Sequence, residues 1–307
     1  VGFEPNYLRL LESGELEERI QKIFRVLRSC ELCARKCRVN RLQGERGYCQ
    51  SGKELVVSSY GPHFGEEPEL VGIRGSGTIF LTNCNLLCIY CQNYEISHQG
   101  EGEVQTEEKV ASYMIRLREI GCHNINLVTP THFTPQLVRS IGIATGQGLR
   151  LPIVWNCGGY ENVETIKLLD GIVDIYMPDI KYSDSSPAEK YSDAPDYFER
   201  SKEAVREMHH QVGDLKLDER GIAYRGLLVR HLVLPNDLAG SEEVLKFVST
   251  LSRDTYVNIM DQYRPCGEAY EYKELNRCPT SVEYFKAVDA AKALGLHRGF
   301  RVRIPYF

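Results

Sequence analysis

From residue 77 onward, short apolar runs of β type alternate with amphipathic helical stretches. This rhythm constrains the fold of the 307-residue chain more than any other feature. The runs are Thr78–Thr82, Ile125–Thr129, Ile153–Asn156, Val173–Met177, Leu227–Leu234 and Tyr256–Met260. Between and after them lie helical patterns. Val110, Tyr113, Met114 and Leu117 share one face of a stretch over 108–120, and Val163, Ile166 and Leu169 do the same over 162–169. Ser241 reads as an N-cap before Val244, Val248 and Leu251, and Gly295 as the stop of the last long helix. Six strand–helix repeats predict a parallel sheet with right-handed crossovers, and in such architectures chemistry gathers at the C-terminal strand ends.

Two segments depart from the rhythm. Residues 1–74 begin with one or two helices over 5–29, continue through a cysteine-rich stretch from Cys30, and end in short strands and turns over 53–74. Residues 182–226 form an insertion between the fourth and fifth strands of the 75–307 unit. It holds a charged helix over 195–208 with Pro195 in its first turn, and it is placed to act as a lid, as a docking element or simply as a solvated helix. A net charge of −5 leaves no electrostatic footprint for nucleic acid. No run of about 18 apolar residues predicts a membrane span. No basic–apolar–small signal pattern opens the sequence and its cysteine usage suits a reducing cytosol, so a cytoplasmic location is expected.

Seven of the eleven cysteines fall into two tight groups, a pattern of metal ligands in a reducing compartment rather than of a disulfide framework. Cys84, Cys88 and Cys91 follow the first strand with C-x3-C-x2-C spacing, and Tyr90 precedes the last cysteine. Thiolates suit iron–sulfur clusters, which normally take four of them. Three with no nearby fourth leave a coordination position open for chemistry, by the argument that separates catalytic from structural zinc sites. A buried apolar cluster or half of a zinc knuckle is the plainer alternative.

The spacing and the aromatic residue resemble the signature of the radical S-adenosylmethionine (SAM) superfamily. That resemblance implies a partial (β/α)6 barrel and a [4Fe–4S] cluster on Cys84, Cys88 and Cys91. It also implies SAM on the open iron, cleaved by one electron to a 5′-deoxyadenosyl radical that abstracts hydrogen. Asp179-x-Lys181 after the fourth strand and Arg230 in an Arg-His-Leu-Val-Leu-Pro strand resemble the pyruvate formate-lyase activating enzyme branch. The branch implies SAM or substrate contacts for Asp179, Lys181 and Arg230. The Gly-Gly-Glu run that holds the SAM amino group in many relatives is replaced by Thr129-Pro130-Thr131-His132, where Thr129 and Thr131 offer hydroxyls instead. Tyr90 and Asn156 complete the predicted cofactor set. His231, next to Arg230 on a strand, points to the opposite face and is expected to pack.

Cys30, Cys33, Cys37 and Cys49 make a closed shell of four thiolates, and Arg35, Lys36, Arg38 and Arg41 are on hand to compensate their charge. Structural zinc and an auxiliary iron–sulfur cluster both fit. Of the isolated cysteines, Cys122 is expected to pack as a small hydrophobe, and Cys157 sits at a strand end facing the site. The branch resemblance implies a protein substrate, a glycyl radical enzyme, and an electron donor such as flavodoxin or ferredoxin. A radical enzyme modifying a peptide or small molecule is one rival. The other is a non-catalytic iron–sulfur or zinc protein, which would need full ligation at residues 84–91.

Overall fold

The computed structural model describes residues 3–300. Nine strands form one sheet: β1 (Leu55–His63), β2 (Ser76–Leu81), β3 (Glu103–Gln105), β4 (Ile125–Val128), β5 (Ile153–Cys157), β6 (Ile175–Pro178), β7 (Lys216–Leu217), β8 (Ala223–Leu232) and β9 (Tyr256–Met260). The helices are α1 (Tyr7–Glu12), α2 (Glu15–Val26), α3 (Pro68–Val71), α4 (Tyr94–Ser97), α5 (Glu107–Ile120), α6 (Thr134–Gly146), α7 (Val163–Leu168), α8 (Ser185–Ser192), α9 (Tyr197–Val212), α10 (Ser241–Leu251) and α11 (Ser281–Ala293). None is long and apolar enough to cross a membrane among the described residues.

The six expected strands are present as β2, β4, β5, β6, β8 and β9, paired side by side and all parallel. Each is followed by a helix, α5, α6, α7, α9, α10 and α11 in turn, which gives the partial (β/α)6 barrel. Side-chain alternation builds two apolar layers. Val154, Ile175, Met177, Leu228 and Tyr256 pack with Leu70, Leu215 and Ala223 on one face. Ile79, Leu127, Trp155, Tyr176, Val229 and Val257 pack with the helices on the other.

Residues 3–74 share this sheet and this core. β1 is one nine-residue strand antiparallel to β2, where short strands were expected, and Leu10, Leu16, Ile20 and Ile23 join the main core. The stretch over 182–226 supplies the crossover helix α9, and β7 pairs antiparallel with β8. Two local expectations are corrected. Gly240, not Ser241, is the N-cap of α10, because the Ser241 hydroxyl is taken up by His231 Nε2 at 2.9 Å. Pro195 lies ahead of α9, which starts at Tyr197 and runs on to Val212. Gly295 follows the last helix with φ +83°, the left-handed stop its position predicted.

Candidate functional site

The loop after β2 turns sharply, with left-handed backbone at Asn83 and Leu87. That geometry presents Cys84, Cys88 and Cys91 to one cavity of about 390 Å³ above the strand ends. The loop is clamped from two sides. Ile89 N–H donates to Tyr191 O at 3.0 Å, and Glu268 N–H donates to Ile89 O at 2.8 Å. Two sulfurs accept hydrogen bonds: Cys84 Sγ from Leu86 N–H at 3.4 Å, and Cys88 Sγ from Ser192 Oγ at 3.0 Å. Burial pushes the Cys84 thiol up to about 12, with Cys88 adding to the effect. Burial raises Cys88 as well, against the pull of Lys181 and Ser192. These groups become thiolates only when a bound cation repays their desolvation.

The cavity collects most of the predicted cofactor residues. Tyr90, Thr129, Asn156, Asp179, Lys181 and Arg230 all line it. Thr131 does not: it is fully buried and donates to Glu161 Oε1 at 2.7 Å, holding a carboxyl that burial raises to about 7 against Thr131 and Cys157. Thr129 sits at φ +59°, a strained setting for a β-branched residue. Tyr90 is buried, edge-on to Tyr182 and Tyr263, and braces the cysteine loop.

Arg230 is the hub of the wall opposite. Its Nε donates to Asp179 Oδ1 at 2.8 Å, Nη1 to Glu66 Oε2 at 3.2 Å and Nη2 to Asn156 Oδ1 at 2.7 Å. Lys181 Nζ donates to Asp179 Oδ2 at 2.7 Å. Burial alone would raise Asp179, but Arg230 and Lys181 outweigh it and hold the carboxyl below its usual range. Glu66 goes the other way: burial raises it and Arg230 only partly offsets this. His231, on the far face of β8, is buried between Ile180 O and Ser241 Oγ and packs as expected.

Glu66 was not legible in the sequence. It lies in Gly65-Glu66-Glu67-Pro68-Glu69, an acidic run that reads as a solvated turn, and β1 carries it into the cavity alongside His63. The mixed charges fit SAM: Lys181 and Arg230 suit a carboxylate and Glu66 an ammonium group, while Asp179 and Asn156 hold Arg230 in place. Among the described residues no three Cys, His, Asp or Glu side chains converge as a single metal ion would require. The three cysteines line one cavity, where they would hold three corners of a cluster.

The second cysteine group is equally well formed. Cys30, Cys33, Cys37 and Cys49 enclose a small void of about 10 Å³ together with Arg35, Arg41, Gly47, Asn85 and His132. Left-handed residues Lys36, Arg38 and Gln50 make the tight turns between and after the sulfurs. Tyr48 N–H donates to Cys37 Sγ at 3.4 Å. A Cβ on Gly47 would stand 2.8 Å from both Cβ and Sγ of Cys37, so only glycine fits there. Arg41 is 1% exposed and has no carboxylate among its hydrogen-bond partners: Nη1 donates to His132 O at 2.6 Å and lies 3.9 Å from Cys30 Sγ, and Nε donates to Gly52 O at 2.9 Å. A guanidinium is always charged, and burying it without an anion is costly. Four thiolates around a metal supply that anion, so the residues fit a metal site. His132 is buried against Thr82 O at 2.7 Å, and burial lowers it to about 3, so it is a neutral structural imidazole.

Of the remaining cysteines, Cys122 is buried in the core and Cys157 lines the large cavity. Cys266 is a half-buried free thiol and Cys278 an exposed one.

Residues 78–216 match the radical SAM superfamily model. An uncharacterized protein of Methanocaldococcus jannaschii, MJ0674, is 31% identical over 302 residues, which cover 96% of this chain and 83% of that protein. The crystal structure of methylornithine synthase (PylB) superposes with a TM-score of 0.47 at 18% identity, over 70% of this chain and 62% of that one. The chain belongs to the radical SAM superfamily, whose members are enzymes of radical chemistry built around a [4Fe–4S] cluster and SAM.

Proposed function

We propose that the chain cleaves SAM reductively at Cys84, Cys88 and Cys91 and directs the resulting radical at a hydrogen of a partner protein, as a glycyl radical enzyme activase does. The cluster, when bound, supplies the single electron that makes the 5′-deoxyadenosyl radical. The protein's part is to place and shield. Lys181 and Arg230 hold the carboxylate of SAM, Asp179 and Asn156 fix Arg230 for that purpose, and Thr129 offers its hydroxyl to the amino group. Tyr90 and Ser192 keep the cysteine loop in register, and the apolar inner layer closes the cavity from below against water.

The observation that carries this reading is the convergence of three cysteines with the Asp179–Lys181–Arg230 network on one cavity. Six parallel strands leave the barrel open enough to admit a polypeptide loop, which supports a protein or peptide substrate. In this reading a flavodoxin or ferredoxin supplies the electron, and the enzyme works in the cytoplasm, where its eleven free cysteines stay reduced. The N-terminal four-cysteine group holds a metal. Anaerobic reconstitution followed by dithionite and SAM tests the core of the reading. Release of 5′-deoxyadenosine supports it, and a reduced cluster that leaves SAM intact overturns it. A glycyl radical signal on a partner from the same genome tests the activase form.

A further inference from the structure

The geometry points to Ser192 as a positioning residue for the cluster at Cys84, Cys88 and Cys91. Its hydroxyl, backed by Tyr182 and fixed in place by Arg35, holds the Cys88 sulfur and sets the reduction potential of the centre bound there. The inference rests on the proposed reading of the cysteine triad and goes beyond it.

The first observation is where the hydroxyl goes. Ser192 ends α8, and a helical serine or threonine commonly returns its proton to a carbonyl three or four residues back. Ser112, Ser140, Thr145 and Ser249 all do so in this chain. Ser192 instead donates to Cys88 Sγ at 3.0 Å, across 104 positions of sequence.

The second is direction. Tyr182 Oη lies 2.8 Å from Ser192 Oγ. A hydroxyl has one proton to give, and a thiolate can only accept. Once Cys88 is a thiolate, Ser192 must donate to it and Tyr182 must donate to Ser192. Both O–H dipoles then point toward the sulfur. Tyr182, Ser192 and Cys88 are 0%, 2% and 7% exposed, and such burial strengthens hydrogen bonds in series.

The third is the anchor. Arg35 donates from Nη2 to Ser192 O at 2.7 Å, from Nη1 to Asp193 O, and from Nε to Asn85 O at 3.0 Å. One guanidinium therefore grips both the end of α8 and the residue after Cys84. It also stacks on Tyr48, 3.6 Å from the ring centre. Its planar fork fixes how far the hydroxyl stands from the cysteine loop.

Reduction by one electron adds negative charge that the centre shares with its thiolates. A hydrogen bond donated to a thiolate stabilises that charge and raises the potential, so its loss should lower it. The protons of Ser192 and Tyr182 stay on their oxygens throughout.

The test is a potentiometric titration of the reconstituted holoenzyme. It follows the paramagnetic signal that SAM perturbs, which belongs to the centre with the open iron. Ser192→Ala should bind the wild-type amount of iron and sulfide. At the wild-type midpoint its ratio of reduced to oxidised centre should fall about tenfold, a shift of about 59 mV to more negative potential. Tyr182→Phe leaves Ser192 and its proton in place and should shift the ratio the same way, about twofold. Ser192→Thr keeps the hydroxyl and should keep the wild-type midpoint. Equal midpoints in the wild type and Ser192→Ala, or a shift in Ser192→Thr as large as in Ser192→Ala, overturns the inference. So does a Ser192→Ala protein that loses iron while its loaded fraction titrates as wild type, since the serine is then a scaffold alone. Wild-type protein with no signal responsive to SAM overturns the reading of the triad as well.

Discussion

Replacing Arg230 with methionine tests the electrostatic reasoning about the cavity. Arg230 makes three hydrogen bonds, to Asp179, Glu66 and Asn156, from a side chain that is 17% exposed. Deleting one partner of a buried ion pair costs about 3–5 kcal/mol, because the other partner keeps its desolvation penalty without its counter-ion. Arg230→Met should therefore destabilise the protein by that amount. Glu66→Gln should cost no more than about 1 kcal/mol, since the amide oxygen can still accept from Arg230 and burial already penalises the Glu66 charge. In the double variant one stranded carboxylate has been removed, so the loss should be smaller than the sum of the singles by about 1–3 kcal/mol. Urea unfolding under argon, followed by fluorescence of the single tryptophan, Trp155, which is fully buried in β5, measures all three. A loss below about 1 kcal/mol for Arg230→Met, or strict additivity in the double variant, would refute the view of Arg230 as the hub of a buried network.

Further outcomes follow from individual positions. Cys88→Ala should abolish 5′-deoxyadenosine formation and leave the urea midpoint of metal-free protein close to wild type; retained cleavage would remove the triad from the chemistry. Gly47→Ala should strip metal from the N-terminal site, because its Cβ would stand 2.8 Å from Cys37 Sγ; metal analysis showing full occupancy would contradict the packing argument. Asp174 is 1% exposed, and burial raises it to about 8, against Ile153 N–H and Arg225. A carboxyl raised in the folded state contributes its full stability below its unfolded pKa and loses it as pH rises through the folded one, so stability should fall from about pH 4 to pH 8. Asp174→Asn should remove that slope and be the more stable protein at pH 8; an unchanged slope would assign it elsewhere.

The barrel could be read from the chain because its signal is redundant. Val154, Ile175 and Leu228 face one layer while Trp155, Tyr176 and Val229 face the other, so each strand is apolar on both faces and stands out as a continuous run. The cysteine triad was legible for a related reason: its ligands are local, within eight residues. What stayed hidden depends on contacts remote in sequence. Glu66 reaches Arg230 across 164 positions, and nothing in Gly65-Glu66-Glu67-Pro68 distinguishes a cavity wall from a solvated turn. Thr131 was misread as a cavity residue because its partner, Glu161, lies 30 residues on, and a strand-end hydroxyl looks alike whichever way it turns. Ser241 failed as an N-cap for the same reason, since His231 competes for its oxygen.

The charge balance differs between the two cysteine groups, whose cavities adjoin at Cys84-Asn85. Around the large cavity Glu66 and Asp179 face Arg230 and Lys181, so the protein groups nearly balance before any thiolate ionises. Three thiolates would then add negative charge that a bound cationic metal centre would offset. The smaller void has the opposite bias: Arg35 and Arg41 line it with no acidic side chain on its wall, and while Arg35 pairs with Asp193 at 3.7 Å, Arg41 has no carboxylate among its hydrogen-bond partners. A metal centre in either compartment would offset the charge of its own thiolates, and the shared wall at Cys84-Asn85 would let the field of one act on the other. A charged centre at the smaller site should consequently shift the potential of the larger. Reductive titration of the holoenzyme, read by the paramagnetic signal of the cluster at Cys84, Cys88 and Cys91, should give a different midpoint from that of the variant lacking Cys33 and Cys49. Equal midpoints would mean that the wall insulates rather than couples.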